Sequence, residues 1–73
     1  MQKLFEIIPH HGQWDVSHNH VSLRTCARKR DAIRLALVLG RMQPRLGDDA
    51  EVVLKDQNGE TRARRQIFAR AAS

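Results

Sequence analysis

Cysteine is nearly missing from this chain. Cys26 stands alone, which excludes an internal disulfide and leaves no thiol cluster for a structural zinc. Nothing therefore points to an oxidising compartment, and a cytoplasmic location is expected. Long apolar runs are missing too. Met1 to Lys3 leads into a short apolar stretch interrupted by Glu6 and Pro9, which fits neither a signal peptide nor a membrane span. The aromatics are Phe5, Trp14 and Phe68, with no tyrosine. All three are expected in the core, which would leave no stacking platform for single-stranded bases. Acid is also scarce over a long stretch: residues 24–45 hold Asp31 alone against Arg24, Arg28, Lys29, Arg30, Arg34, Arg41 and Arg45.

What is present fits one small domain. A chain of 73 residues buries only roughly 60% of the surface its unfolded form exposes, so stability should be marginal and a partner or second copy could add burial. Residues 1–73 are read as a single domain, with 69–73 as a frayed tail. The net charge of +5 is distributed in blocks. After the basic stretch, residues 46–61 carry five acids against Lys55, and residues 62–70 turn basic again. Ten of the thirteen cations are arginine, whose planar fork suits carboxylates and phosphates. A polyanion or an acidic protein surface is the natural partner class.

Hydrophobic periodicity gives the order of elements. Lys3 to Ile8 alternates Phe5 and Ile7 with Leu4 and Ile8 and then meets Pro9 and Gly12, the pattern of a strand and a turn. Gln13 to His18 continues as a second strand with Trp14 and Val16 on one face. Asn19 suits the next turn, and Val21 to Thr25 forms a third strand. Its Val21 and Leu23 are expected to join Trp14 and Val16, with Ser22 and Arg24 outward. Between Lys29 and Gln43 the period becomes about 3.6, placing Ala32, Ile33, Ala36, Leu37, Leu39 and Gly40 in one stripe. Pro44 and Gly47 close this helix, while its start has Arg28 where a capping Ser, Thr or Asp is usual. Glu51 to Lys55, Asn58-Gly59 and Thr61 onward then read as a hairpin. The expected fold is α+β in βββαββ order, an antiparallel sheet covered on one face by one helix. If Thr61 and Ala63 face the helix, Arg62 and Arg64 join Arg24 and Lys55 on the open face.

Four segments together resemble a small uncharacterised bacterial family, catalogued as domain of unknown function 2188. They are Ile7-Ile8-Pro9, Trp14-Asp15-Val16, Ala32-Ile33 with Ala36, and Glu51-Val52-Val53-Leu54 followed by Asn58-Gly59. The resemblance spans most of the chain and implies a fold, not a function. Two departures stand out: the helix here is nearly free of acid and unusually aliphatic, and its N-cap is missing. The first suggests that the outer helix surface has another task.

No catalytic set emerges. His10-His11 and His18-Asn19-His20 are paired donors of the kind zinc and nickel prefer. On a strand rising about 3.3 Å per residue, however, the pairs lie on the order of 20 Å apart. Cys26 and the serines lack a positioned base, and Asp48, Asp49 and Glu51 read as a solvated loop. There is no phosphate-cradling glycine loop. Neither an enzyme, a metal site, a cofactor nor a small-molecule substrate is expected. The helix surface is more informative. Arg30, Arg34 and Arg41 flank the core stripe, and Leu35, Val38 and Met42 recur away from its centre, with Leu39 as a bridge. As an extended core this strip is unremarkable. As a surface, an aliphatic strip beside arginines has the composition of a helix that docks on protein.

The expected function is a non-enzymatic regulatory or adaptor module. It would bind a protein with an acidic surface, such as a component of the transcription or other nucleic-acid machinery, through Arg30, Arg34, Leu35, Val38, Leu39, Arg41 and Met42. The alternative is direct, largely sequence-independent nucleic-acid binding through Arg24, Lys55, Arg62 and Arg64. Self-association would satisfy the strip equally.

Overall fold

The computed structural model describes residues 3–43 and 47–68. In chain order it contains β1 (Lys3–His10), β2 (Gln13–His18), β3 (Val21–Cys26), α1 (Lys29–Met42), β4 (Ala50–Lys55) and β5 (Thr61–Ile67). The α+β class and the βββαββ succession are as expected, while the tail at 69–73 lies outside the described residues. No helix among those residues is long and apolar enough to cross a membrane.

The five strands form one sheet in the order β3-β2-β1-β4-β5, with β4 parallel to β1 and every other pairing antiparallel. The expected antiparallel sheet is thus corrected to a mixed one, for a reason of direction. Two hairpins leave β3 running the same way as β1. A 14-residue helix, about 21 Å long at 1.5 Å per residue, then carries the chain back along a strand's length. β4 must therefore start at the same end as β1 and β3, and it is parallel to whichever it joins. It joins β1, which becomes the central strand. β1 suits that place because Phe5 and Ile7 make it apolar toward the helix, while on its other face Leu4 and Ile8 flank Glu6, whose charge Lys55 and His20 match. Pro9, which has no N–H to give, lies beyond the last β1–β4 pair, Ile7 with Leu54.

The turns explain the register. His11 and Gly12, then Asn19 and His20, all have positive φ, as the two-residue turns of twisted hairpins require. Asn19 also ties down the start of β1, accepting from Leu4 N at 3.1 Å and donating its own N–H to Leu4 O at 2.9 Å.

The helix packs through small residues. Ala32, Ala36 and Gly40 are its buried positions, over a core in which Phe5, Ile7 and Val16 are the largest fully buried side chains. Each of those three contributes roughly 1.5–3 kcal/mol by leaving water. A Cβ on Gly40 would lie 3.1 Å from both Val52 Cγ2 and Ile67 Cδ1, so glycine sets how closely helix and sheet approach. Ile33 and Leu37 on one flank, and Leu35 and Leu39 on the other, are half-buried against this core. Arg28 is the N-cap residue and makes no side-chain capping bond, leaving Asp31 to favour the positive end of the helix.

Two bulges overturn local expectations of facing. In β3 the register passes from Val16↔Arg24 to Ser17↔Ser22, so Leu23 is an extra residue and is half exposed instead of packing beside Val16. Arg24, opposite the fully buried Val16, lies on the helix-bearing side of the sheet and not on the open face. In β5 the pairs Leu54↔Ala63 and Lys55↔Thr61 skip Arg62, which puts Ala63 on the helix side but Thr61 on the open side. Phe68, expected in the core, is 66% exposed beyond the end of β5.

Candidate interaction surface

The sheet's open face carries a set of internally matched charges. Glu6 is buried at its centre, accepting from Lys55 Nζ at 2.6 Å through Oε2, with His20 Nδ1 3.1 Å from its Oε1. A buried carboxylate demands such partners, because an unpaired charge out of water is costly. Arg64 Nε lies 3.7 Å from Glu51 Oε2, which also accepts from Gln66 Nε2 at 3.2 Å. Ser22 Oγ donates to Asp15 Oδ1 at 2.6 Å. At the β4–β5 turn, Asp56 accepts from Asn58 N, Glu60 N and Arg62 Nε. Donation from Glu60 N–H above all, opposed by desolvation and helped by Asn58 N–H and the Arg62 guanidinium, holds the Asp56 carboxyl below its ordinary value. Three of the four residues expected to serve nucleic acid, Lys55, Arg62 and Arg64, thus meet carboxylates on or beside the open face, and Arg24 sits on the other side.

The helix-bearing side has the opposite character. Arg24 on β3, Arg28 at the helix start, Arg30, Arg34 and Arg41 on α1, and Arg65 on β5 are all exposed. None of the ion pairs among the described residues engages any of them. Arg65 lies opposite Val52, hence on the helix side of its strand. Lys29 adds a cation 5.7 Å from the Trp14 ring centre. The surface acid of the helix itself is Asp31.

The expected docking residues divide between two flanks of α1. At about 100° per residue, Arg30, Arg41 and Arg34 follow within about 60° beyond Leu37, on the flank toward β5. Val38 and Met42, each about half exposed, lie on the opposite flank above Leu35 and Leu39, which pack on the core. The two groups meet where Arg34 adjoins Val38 at the crest. Between α1 and β5 an apolar groove of about 210 Å³ is left open. Ile7, Ile33, Leu37, Val52, Leu54 and Ala63 line it, with Arg64 and Arg65 at its rim.

The histidines remain apart, as the strand reading expects. His10 and His11 touch edge to face at 4.1 Å at one end of β2, while His18 stacks on Phe5 at 4.8 Å at the other. Among the described residues no three His, Cys, Asp or Glu side chains converge as metal ligands would. An open cleft of about 450 Å³ lies beside the His10–Gln13 turn, lined also by Trp14 and Gln57. Cys26 is half-buried opposite Trp14.

No protein-family model, curated protein or solved structure matches the chain. Arg28, which stood out only as a missing cap, Arg65, hidden inside the run Arg62 to Arg65, and Ala63, which looks inert, escaped sequence reasoning. The signal for the last two was the alternation of β5 around its bulge, with Ala63, Arg65 and Ile67 on one side.

Proposed function

We propose that this protein is a non-enzymatic regulatory or adaptor module whose helix-bearing side engages an acidic protein partner. A component of the transcription or other nucleic-acid machinery is a natural candidate. The observation that carries this reading is the segregation of charge. Cations of the open face meet Glu6, Glu51 and Asp56, whereas Arg24, Arg28, Arg30, Arg34, Arg41 and Arg65 meet no carboxylate among the described residues. Unmatched arginines on one side of so small a molecule attract anionic surfaces and accelerate encounter with them. Protein is favoured over nucleic acid because the same side exposes Val38, Met42 and Val21 and opens an apolar groove. Aliphatic surface contributes to a protein interface and nothing to phosphate contacts.

Direct nucleic-acid binding remains as a second reading, transferred to the helix-bearing side because of its arginine density. Charge changes on the two faces test both. Arg30→Glu with Arg34→Glu should abolish capture of the native partner, while Thr25→Glu, exposed on the open face of β3, should leave it intact. Duplex and single-stranded nucleic acid titrated at low and at physiological salt should bind weakly. Tight binding that falls steeply with salt would instead establish the second reading.

A further inference from the structure

Resting on that reading of the helix-bearing side, we infer that the groove between α1 and β5 is a docking site for an extended, acidic segment of a partner protein, which adds to the sheet as a sixth strand along β5. β5 is the last strand of the sheet and is exposed along nearly all its length. Alternate residues of such an edge turn their N–H and C=O groups away from the neighbouring strand, where a further strand can pair with them. The helix covers the other strands more closely and leaves Ala63 exposed, so a strand laid along β5 has its helix-side side chains over the groove. Its floor of Ile33, Leu37, Val52, Leu54 and Ala63 accepts one or two aliphatic side chains, and its volume of about 210 Å³ is too small for a helix.

Charge selects the occupant. Arg65 stands on the rim, and Arg30, Arg34 and Arg41 line the helix flank above it, all without carboxylate partners among the described residues. A segment alternating aliphatic residues with Asp or Glu satisfies backbone, groove and arginines together, a combination used in strand-addition recognition. A second copy is disfavoured on the same grounds. Pairing β5 with its own image brings two Arg62–Arg65 segments side by side, and like charges across neighbouring strands repel.

The test titrates the full chain with a synthetic peptide alternating valine or leucine with glutamate, followed by backbone and methyl NMR shifts. A version N-methylated on alternate amides keeps its charge and side chains but loses one row of hydrogen bonds. The expected result is shifts concentrated on Ile33, Leu37, Ala63 and the β5 amides, with binding weakened at least about tenfold by N-methylation. Ala63→Leu, which fills the groove without altering charge, and Arg65→Glu should each weaken binding similarly; both positions are exposed, so the fold is retained. Shifts centred on Val38 and Met42, indifferent to N-methylation, would overturn the groove while sparing the acidic-partner reading. Absence of peptide binding at millimolar concentration would overturn strand addition. A short nucleic-acid duplex that displaced the peptide and bound more tightly would overturn both.

Discussion

Glu6 and Gly40 show how single side chains set the structure. Glu6 is 3% exposed on a face that no second layer covers among the described residues, and Lys55 and His20 are its partners. Truncating one member of a buried pair strands the other, so Glu6→Ala should cost about 3 kcal/mol in urea denaturation. Replacing both Glu6 and Lys55 by leucine should cost less than the sum of the single changes. Gly40→Ala ordinarily gains about 1 kcal/mol in a helix. Here the new methyl meets Val52 Cγ2, on a stiff β-branched side chain, and the more mobile tip of Ile67. Overpacking outweighs propensity, and a net loss of about 1 kcal/mol is expected by the same measurement. Asp56 governs behaviour in acid. Its lowered pKa means that the unfolded chain takes up the proton first as pH falls, so its contribution is complete above about pH 4 and is lost below. Asp56→Asn should lower the melting temperature at neutral pH and flatten its decline below about pH 4.

At the scale of elements, α1 carries two functions on one cylinder. Ala32, Ala36 and Gly40 bind it to the sheet, and its crest and flanks face solvent. Substitutions around it should separate accordingly. Val38→Asp and Met42→Asp, at half-exposed positions, should change stability by less than about 0.5 kcal/mol and report on partner binding alone. Leu35→Asp and Leu39→Asp put a charge against the core and should each cost more than about 2 kcal/mol. A binding defect in the latter two, without the former, would mark unfolding and not an interface; thermal melts alongside binding measurements distinguish them.

The whole molecule is a sheet with a matched face and an unmatched one. Its two edges differ from its centre in the same graded way: β3 and β5 are exposed along nearly their full length, whereas β1 is paired on both sides and buried at Phe5, Glu6 and Ile7. Native-state amide exchange should therefore be slowest in β1 and β4 and fastest in β3 and β5, with protection in β1 approaching the global unfolding free energy. If β3 and β1 exchanged alike, the domain would lack this gradient and open only as one unit.

Local chemistry made the elements legible in the sequence. The period-two strands, the helix, its missing cap and the turn residues all depend on neighbours a few positions away, and the observed boundaries fall within a few residues of those expected. The separation of the histidine pairs followed from strand rise alone. Facing and pairing were different. One extra residue in β3 and another in β5 reversed the side to which Arg24 and Thr61 belong, because strand alternation carries any single-residue shift onward. The parallel contact of β4 with β1 depended on which strand could be buried on both faces, and β1 could because Lys55 of β4 matches its Glu6. Above all, the number and order of cations were fixed by the sequence, but which of them met a carboxylate was decided by tertiary neighbours. Glu6 and Lys55 lie far apart in the chain and 2.6 Å apart in space, and such pairings left those arginines that meet no carboxylate among the described residues gathered on the side of the helix.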